Sequence, residues 1–417
     1  MTVIIIGGGG REHAIAWKLK KDDSNIKIIA VPGNGGMAEI AECVGLNIEN
    51  GRQLADFAEE KKADYTIVGP EVPLALGISD IFRKRGLKIF GPCKKGAMLE
   101  ASKVFAKKFM EKNKIPTADF TVISSYPEGF KVLEKREYPC VLKYDGLAAG
   151  KGVFVAENRN DALFFLKEIY GKDIFGRTNR NVLIEDCLKG REMSYLVFTD
   201  SESFSPMVPA RDHKRVFDGD KGPNTGGMGC YSPPAQFNEN LEDSIQRKIV
   251  IPTVQGLEKE KIDYRGVLYF GLMLTERGPY LLEYNSRLGD PETQVILPRM
   301  ESSLLEAVDS VIEKKLSRAE IIWNEKKSLC LIMASKGYPG KYSRGMAIKG
   351  LSDVENVIVF HAGTECRDGC IVTSGGRVLG ITAVDTSIEK ARNAVYKAAS
   401  LINFQGKHYR TDIGLNA

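Results

Sequence analysis

Lys143-Tyr144-Asp145-Gly146-Leu147-Ala148-Ala149-Gly150-Lys151-Gly152-Val153 sets a lysine at the end of one apolar run and a glycine-rich turn before the next. The flanking runs, 139–144 and 152–156, read as two antiparallel strands. This is the layout of a phosphate flap: the glycines let the backbone close over an anion, and Lys143 supplies a point charge. No GxxxxGK[ST] leads into a helix, so it is not a Walker loop. Taken alone, a tight hairpin turn would account for the same residues.

Further along, Tyr280-Leu281-Leu282-Glu283-Tyr284-Asn285 alternates as a strand. Strict alternation puts Leu281, Glu283 and Asn285 on one face and Leu282 and Tyr284 on the other. Two hard oxygen donors side by side suit Mg²⁺ shared with nucleotide phosphates. The run that follows, Ser286-Arg287-Leu288-Gly289-Asp290-Pro291-Glu292, carries more charge than a solvated strand end requires. Between flap and strand, a connection over 211–234 joins Asp212-His213-Lys214-Arg215 to Gly222-Pro223-Asn224-Thr225-Gly226-Gly227-Met228-Gly229. Cationic side chains beside turns of high backbone freedom can wrap an anion, and so long a loop inside a compact domain is usually functional.

Upstream, the first hundred residues alternate β-branched runs at 3–6, 26–31, 65–68 and 87–90 with helical stretches at 12–20, 52–62 and 74–85. Continuous apolar strands separated by helices predict a parallel, doubly wound sheet covered on both faces. Gly7-Gly8-Gly9-Gly10-Arg11-Glu12 opens the first helix, where backbone N–H groups favour a phosphate. Glu12 stands where a dinucleotide fingerprint wants its third glycine, and the second strand ends without the acid that holds a nicotinamide ribose. From about residue 103 the pattern turns to a mixed α+β body, with a helix over 103–112 and strands over 182–185, 193–199, 267–274 and 280–285. After a helix over 302–315, a third unit begins near 327, with strands over 329–334, 357–360 and 377–384 and a last helix over 388–401.

Bulk properties agree with a folded catalyst. The 417 residues are 43% apolar and 27% charged, near the average for globular proteins, and the length suggests about three domains. The +5 charge is small and interleaved, which argues against a nucleic-acid partner. No signal segment and no apolar run of spanning length is present, so a cytoplasmic protein without a membrane partner is expected. Eight cysteines without a CxxC pair read as reduced thiols.

Taken together, GGGGREHA (7–14), VGPEVP (68–73), KYDGLAAGKGV (143–153), DHKR (212–215), GPNTGGMG (222–229), EYNSRLGDPE (283–292) and HAGT (361–364) resemble the glycinamide ribonucleotide synthetase family of the ATP-grasp superfamily along nearly the whole chain. The resemblance implies an α/β and α+β multidomain fold: a Rossmann-like N-terminal domain (1–102), an ATP-grasp body (103–325) with a mobile lid over about 120–190, and a small C-terminal domain (326–417). It implies that Lys103, Lys143, Gly150 and Gly152 meet ATP phosphates, that Glu185, Asp186, Cys187 and Leu188 form the adenine hinge, and that Glu192 takes the ribose. Glu283 and Asn285 would ligate Mg²⁺ or Mn²⁺, and Arg287 would face the reacting phosphoryl group. Glycine and 5-phosphoribosylamine would lie near Gly9, Glu71, Asp212, Lys214, Arg287 and Asp290. Tyr144, Leu288 and Arg211 depart from the usual pattern beside the site, and the strand over 267–274 lacks the second metal carboxylate many such enzymes have.

The implied activity is a step of purine biosynthesis, with a monomer or weak dimer as the working unit. Glycine's carboxylate is a poor electrophile, so ATP phosphorylates it and the amine attacks the acyl phosphate. No enzyme nucleophile is needed; Lys143 and Arg287 offset charge on the transferring group, and Asp212 is a candidate base. Another carboxylate ligase, a nicotinamide enzyme and a nucleotide-sensing module are the alternatives, separated by substrate-dependent ADP release and by cofactor binding.

Overall fold

The computed structural model describes residues 1–147, 152–172, 181–415 and 417. The first sheet is wholly parallel, in the order Glu42–Cys43, Lys27–Pro32, Thr2–Gly7, Tyr65–Val68, Ile89–Phe90. Along Thr2–Gly7, Val3 and Ile5 enter a core with Ala14 and Leu19, whereas Ile4 and Ile6 enter another with Leu54 and Phe82. A strand buried on both faces reads as a continuous apolar run for this reason. The helix expected over 74–85 is two, Glu71–Leu76 and Ile78–Lys84, because Gly77 between them takes φ +90°. That left-handed conformation ends a helix at little cost only in glycine.

The body holds two four-stranded antiparallel sheets. One runs Phe204–Pro206, Arg191–Thr199, Gly266–Thr275, Gly278–Asn285 and packs on the helices Lys103–Lys112 and Ile251–Lys259. The other runs Phe120–Ile123, Val182–Asp186, Cys140–Tyr144, Val153–Ala156 and carries its own core with the helices Tyr126–Leu133 and Arg159–Lys172. Lys143 and Glu185 lie on the second of these sheets and Glu192 and Glu283 on the first, and Lys143 Nζ reaches across to Leu282 O (3.2 Å).

A fourth sheet is ordered Arg211–Asp212, Gly229–Ser232, Lys327–Ser335, Arg377–Asp385, Ile358–His361, with Lys407–His408 also paired to Lys327–Ser335, and is backed by the helix Ile388–Leu401. The connection over 211–234, read above as a loop, is thus partly strand. Its Gly229–Ser232 segment pairs antiparallel with Lys327–Ser335, Cys230 opposite Cys330. Glycine and proline content hid this pairing. All eight cysteines are unpaired thiols. Among the described residues no helix is long and apolar enough to cross a membrane.

Candidate functional site

Local sequence fixes the first cation. Ser102 caps the helix Lys103–Lys112, its hydroxyl accepting from Phe105 N (3.1 Å) and donating to Asp145 Oδ1 (2.8 Å). Asp145 also accepts from Val104 N (3.1 Å), so the helix start is pinned to the residue after the Cys140–Tyr144 strand. Lys103 then reaches Gly146 O (2.9 Å), and burial lowers its pKa. Lys143 lies at the strand end, with Nζ 2.9 Å from Glu185 Oε2 and 3.2 Å from Leu282 O.

Glu185 is almost wholly buried and shared by a second lysine, Lys107, at 3.2 Å. Burial brings Lys107 down to about 8, against the pull of Glu185. Glu185 Oε1 keeps no hydrogen-bond partner. Asp186 points outward to Arg136 (2.7 Å), and Cys187 and Leu188 are half-buried beyond it. Glu192 meets Lys214 Nζ at 3.3 Å. Gly152 accepts from Tyr144 N (2.8 Å), whereas Gly150 lies outside the described residues.

The strand Gly278–Asn285 corrects one expectation. Gly271 pairs with Glu283 and Leu272 with Leu281, so Leu282 is an extra residue in a bulge. Alternation breaks there, and Leu281 joins Tyr284 in the core instead of sharing the face of Glu283 and Asn285. Glu283 lies 3.8 Å from Lys214 Nζ. Burial pushes its carboxyl up, but Lys214, Lys143 and Lys103 together hold it below its ordinary value. One end of the Asn285 amide meets only acceptors, Glu100 Oε1 and Tyr284 O at 3.1 Å each, so that end is assigned as the nitrogen and the oxygen is turned away from Glu100. An ionised carboxylate and an oriented amide oxygen on one strand fit a hard cation that keeps waters and phosphate oxygens as its other ligands. No group of three His, Cys, Asp or Glu side chains able to hold a metal occurs among the described residues.

Across the cleft, Arg287 joins the domains. Its guanidinium is 2.7 Å from Glu100 Oε1, 3.5 Å from Glu71 Oε2, and donates to Leu288 O (3.2 Å). Burial would lower its pKa, but Glu100 and Glu71 raise it above the ordinary value; in return Arg287 and Arg11 outweigh burial to hold Glu71 low. Asp290 takes Arg377 (2.9 Å) and Gln294 (2.8 Å). Asp212 is different: burial, then the nearby Glu292, raise its pKa well above the ordinary value, and its Oδ1 has no partner. Gly227, at φ +110°, brings its backbone against Asp212 and Pro291, leaving no room for a Cβ. Lys214 is raised by Glu192 and then, against burial, by Glu283.

Gly9 lies close to Asp290, and Glu12 turns back to accept from Gly9 N (2.6 Å) and from Arg11 Nε (2.6 Å). The glycine turn therefore has part of its anion-binding capacity filled from within. Electrostatic contacts link Glu71, Asp212, Lys214, Glu283, Arg287 and Asp290, with Lys103 and Lys143 beside Glu283, Glu185 against Lys143, Asn285 against Glu100 and Gly9 close to Asp290. Sequence reasoning missed Glu100, Lys107, Arg11 and Arg377. Only Glu100 left a local signal, an acid in the last turn of a helix, where the dipole disfavours it.

With this geometry in view, the comparisons are decisive. Family models for phosphoribosylglycinamide synthetase match the N domain over residues 1–100, the ATP-grasp (A) domain over 101–293 and the C domain over 328–416. A phosphoribosylamine–glycine ligase of Caldanaerobacter subterraneus subsp. tengcongensis is 48% identical over 413 residues, 99% of each chain. The crystal structure of a phosphoribosylamine–glycine ligase from Thermotoga maritima superposes with a TM-score of 0.86 at 34% identity, covering 99% of this chain and 100% of that one. A biotin carboxylase β,γ-ATP complex from Campylobacter jejuni, at 16% identity and TM-score 0.74 over 98% of this chain and 92% of that one, shares the fold. The chain belongs to the phosphoribosylglycinamide synthetase family.

Proposed function

We propose that this chain joins glycine to 5-phosphoribosylamine, with ATP going to ADP and phosphate, as a step of purine biosynthesis. One observation carries the reading. Lys103, Lys143, Lys214 and Arg287 surround the ionised Glu283, and Arg287 connects that cluster to Glu71 across the cleft. Cations converge where a phosphoryl group would pass between nucleotide and acid.

The glycine carboxylate attacks the γ-phosphorus and ADP leaves. The amine of phosphoribosylamine then attacks the acyl carbon of glycyl phosphate, phosphate leaves with the C–O bond electrons, and the nitrogen gives up a proton. Lys143 and Arg287 offset charge on the moving phosphoryl group, and alignment of the acid supplies much of the rest. Lys103, Gly150 and Gly152 hold phosphates, Glu185 to Leu188 receive the adenine, and Glu192 the ribose. Glu283 and Asn285 would hold Mg²⁺ or Mn²⁺, which would neutralise phosphate charge. Gly9, Glu71, Lys214 and Asp290 orient glycine and the sugar phosphate, and Asp212 takes the amine proton. The working unit is a monomer or weak dimer. Eight free thiols suit a reducing cytoplasm.

The test is ADP release with Mg²⁺, ATP and glycine, with and without phosphoribosylamine generated from ribose 5-phosphate and ammonia. Release that needs both acid and amine is expected. Release with neither, or with a different pair, would withdraw the substrates.

A further inference from the structure

Glu100 sits in the last turn of the helix Lys94–Ala101, its side chain 8% exposed. A buried carboxylate at the negative end of a helix is disfavoured by desolvation and by the dipole together. It makes three bonds, all to one segment of the neighbouring domain. Oε2 accepts from Ser286 N (2.7 Å), and Oε1 accepts from the Arg287 guanidinium (2.7 Å) and, with the Asn285 amide assigned nitrogen-inward, from that nitrogen (3.1 Å).

We infer that Glu100 is a positioning residue: it selects which end of the Asn285 amide faces the cleft and holds Arg287 beside it. The inference rests on the metal role proposed for Asn285. An amide has one end that attracts a cation and one that repels it, separated by a half-turn about one bond. With its nitrogen assigned to the end that meets Glu100 and Tyr284 O, the oxygen of Asn285 is turned away from Glu100 and left for a cation. Because Glu100 belongs to the helix that closes the N-terminal sheet side, the orientation of the ligand depends on how that side is seated against the body.

The experiment is a Mn²⁺ titration of the full chain in the presence of ADP, read by loss of the free-ion electron paramagnetic resonance signal. Glu100→Gln keeps the volume and an acceptor but can no longer accept at both oxygens. Its Mn²⁺ affinity should fall about tenfold, as for other partners of metal ligands, while metal-free ADP binding stays within twofold. The double variant Glu100→Gln with Asn285→Asp reverses donor and acceptor yet still offers the cation an oxygen. It should bind Mn²⁺ more tightly than either single variant. Additive losses, or a Glu100→Gln protein with wild-type Mn²⁺ affinity, would overturn the inference; if the single variant folds poorly, the comparison of the double variant with Asn285→Asp decides. None of these readings depends on which acid and amine are joined, so failure of the substrate assignment and failure of this inference are separate results.

Discussion

The chemistry of Asp212 follows from its burial. Its partnerless oxygen and the neighbouring Glu292 both favour the protonated form, so its pKa lies well above an ordinary aspartate. A proton acceptor must be ionised, so activity falls as pH drops through this raised value, at a higher pH than an exposed carboxylate would give. We expect kcat/KM for the amine to show that acid limb, and Asp212→Asn to lose the limb together with roughly 10²–10⁴ of the rate. An Asp212→Asn enzyme with an unchanged profile would remove Asp212 from proton transfer. At this scale the sequence was informative about residues inside dense motifs, such as Lys143, Glu283 and Asn285. It was silent about their counter-charges. Asp290 is held by Arg377, and Arg287 by Glu71 and Glu100, partners brought close only by the fold.

Among elements, the helix Lys103–Lys112 shows how a cap becomes a functional part. Ser102 satisfies Phe105 N and also bonds Asp145, which fixes where Lys103 emerges. Ser102→Ala should cost about 1 kcal/mol in urea denaturation and raise KM for ATP more than it lowers kcat. Equal stability with unchanged KM would show that the helix start is held by other contacts. The helix was legible from its periodicity, and so were the apolar strands of the first sheet. The bulge at Leu282 was not, because nothing in an alternating run marks which residue is supernumerary; the partner strand decides it. The short strands of the connection were missed for the opposite reason. Their glycines and prolines advertise turns; Arg215–Phe217 pairs locally with Lys221–Asn224, but Gly229–Ser232 finds its partner in Lys327–Ser335, about a hundred residues away.

At the scale of the whole molecule, the first helix, Gly10–Asp22, meets the C-terminal strand Ile358–His361 at a pair of buried histidines. His361 N donates to His13 Nδ1 (2.9 Å), and the rings lie 5.6 Å apart. Burial, aided by His361, lowers His13 to about 3, and burial lowers His361 to about 4. The unfolded chain takes up these protons near pH 6.5 and the folded one does not, so stability is full above that pH and is lost as pH falls toward about 4. By pH 5 each histidine should cost about 2 kcal/mol. Thermal melts between pH 7 and 5 should show the loss, and His13→Asn should show a shallower one; parallel slopes would acquit the pair. The three-part plan was legible from changes of pattern near residues 103 and 327, but the lacing between parts was not. The strand Gly229–Ser232 belongs by sequence to the middle of the chain and by hydrogen bonding to its end. A polypeptide severed just before Lys327 would therefore yield two pieces that are each missing something. One would carry an orphan ribbon, the other an open seam of the same length, and co-expressed halves would find each other through that joint.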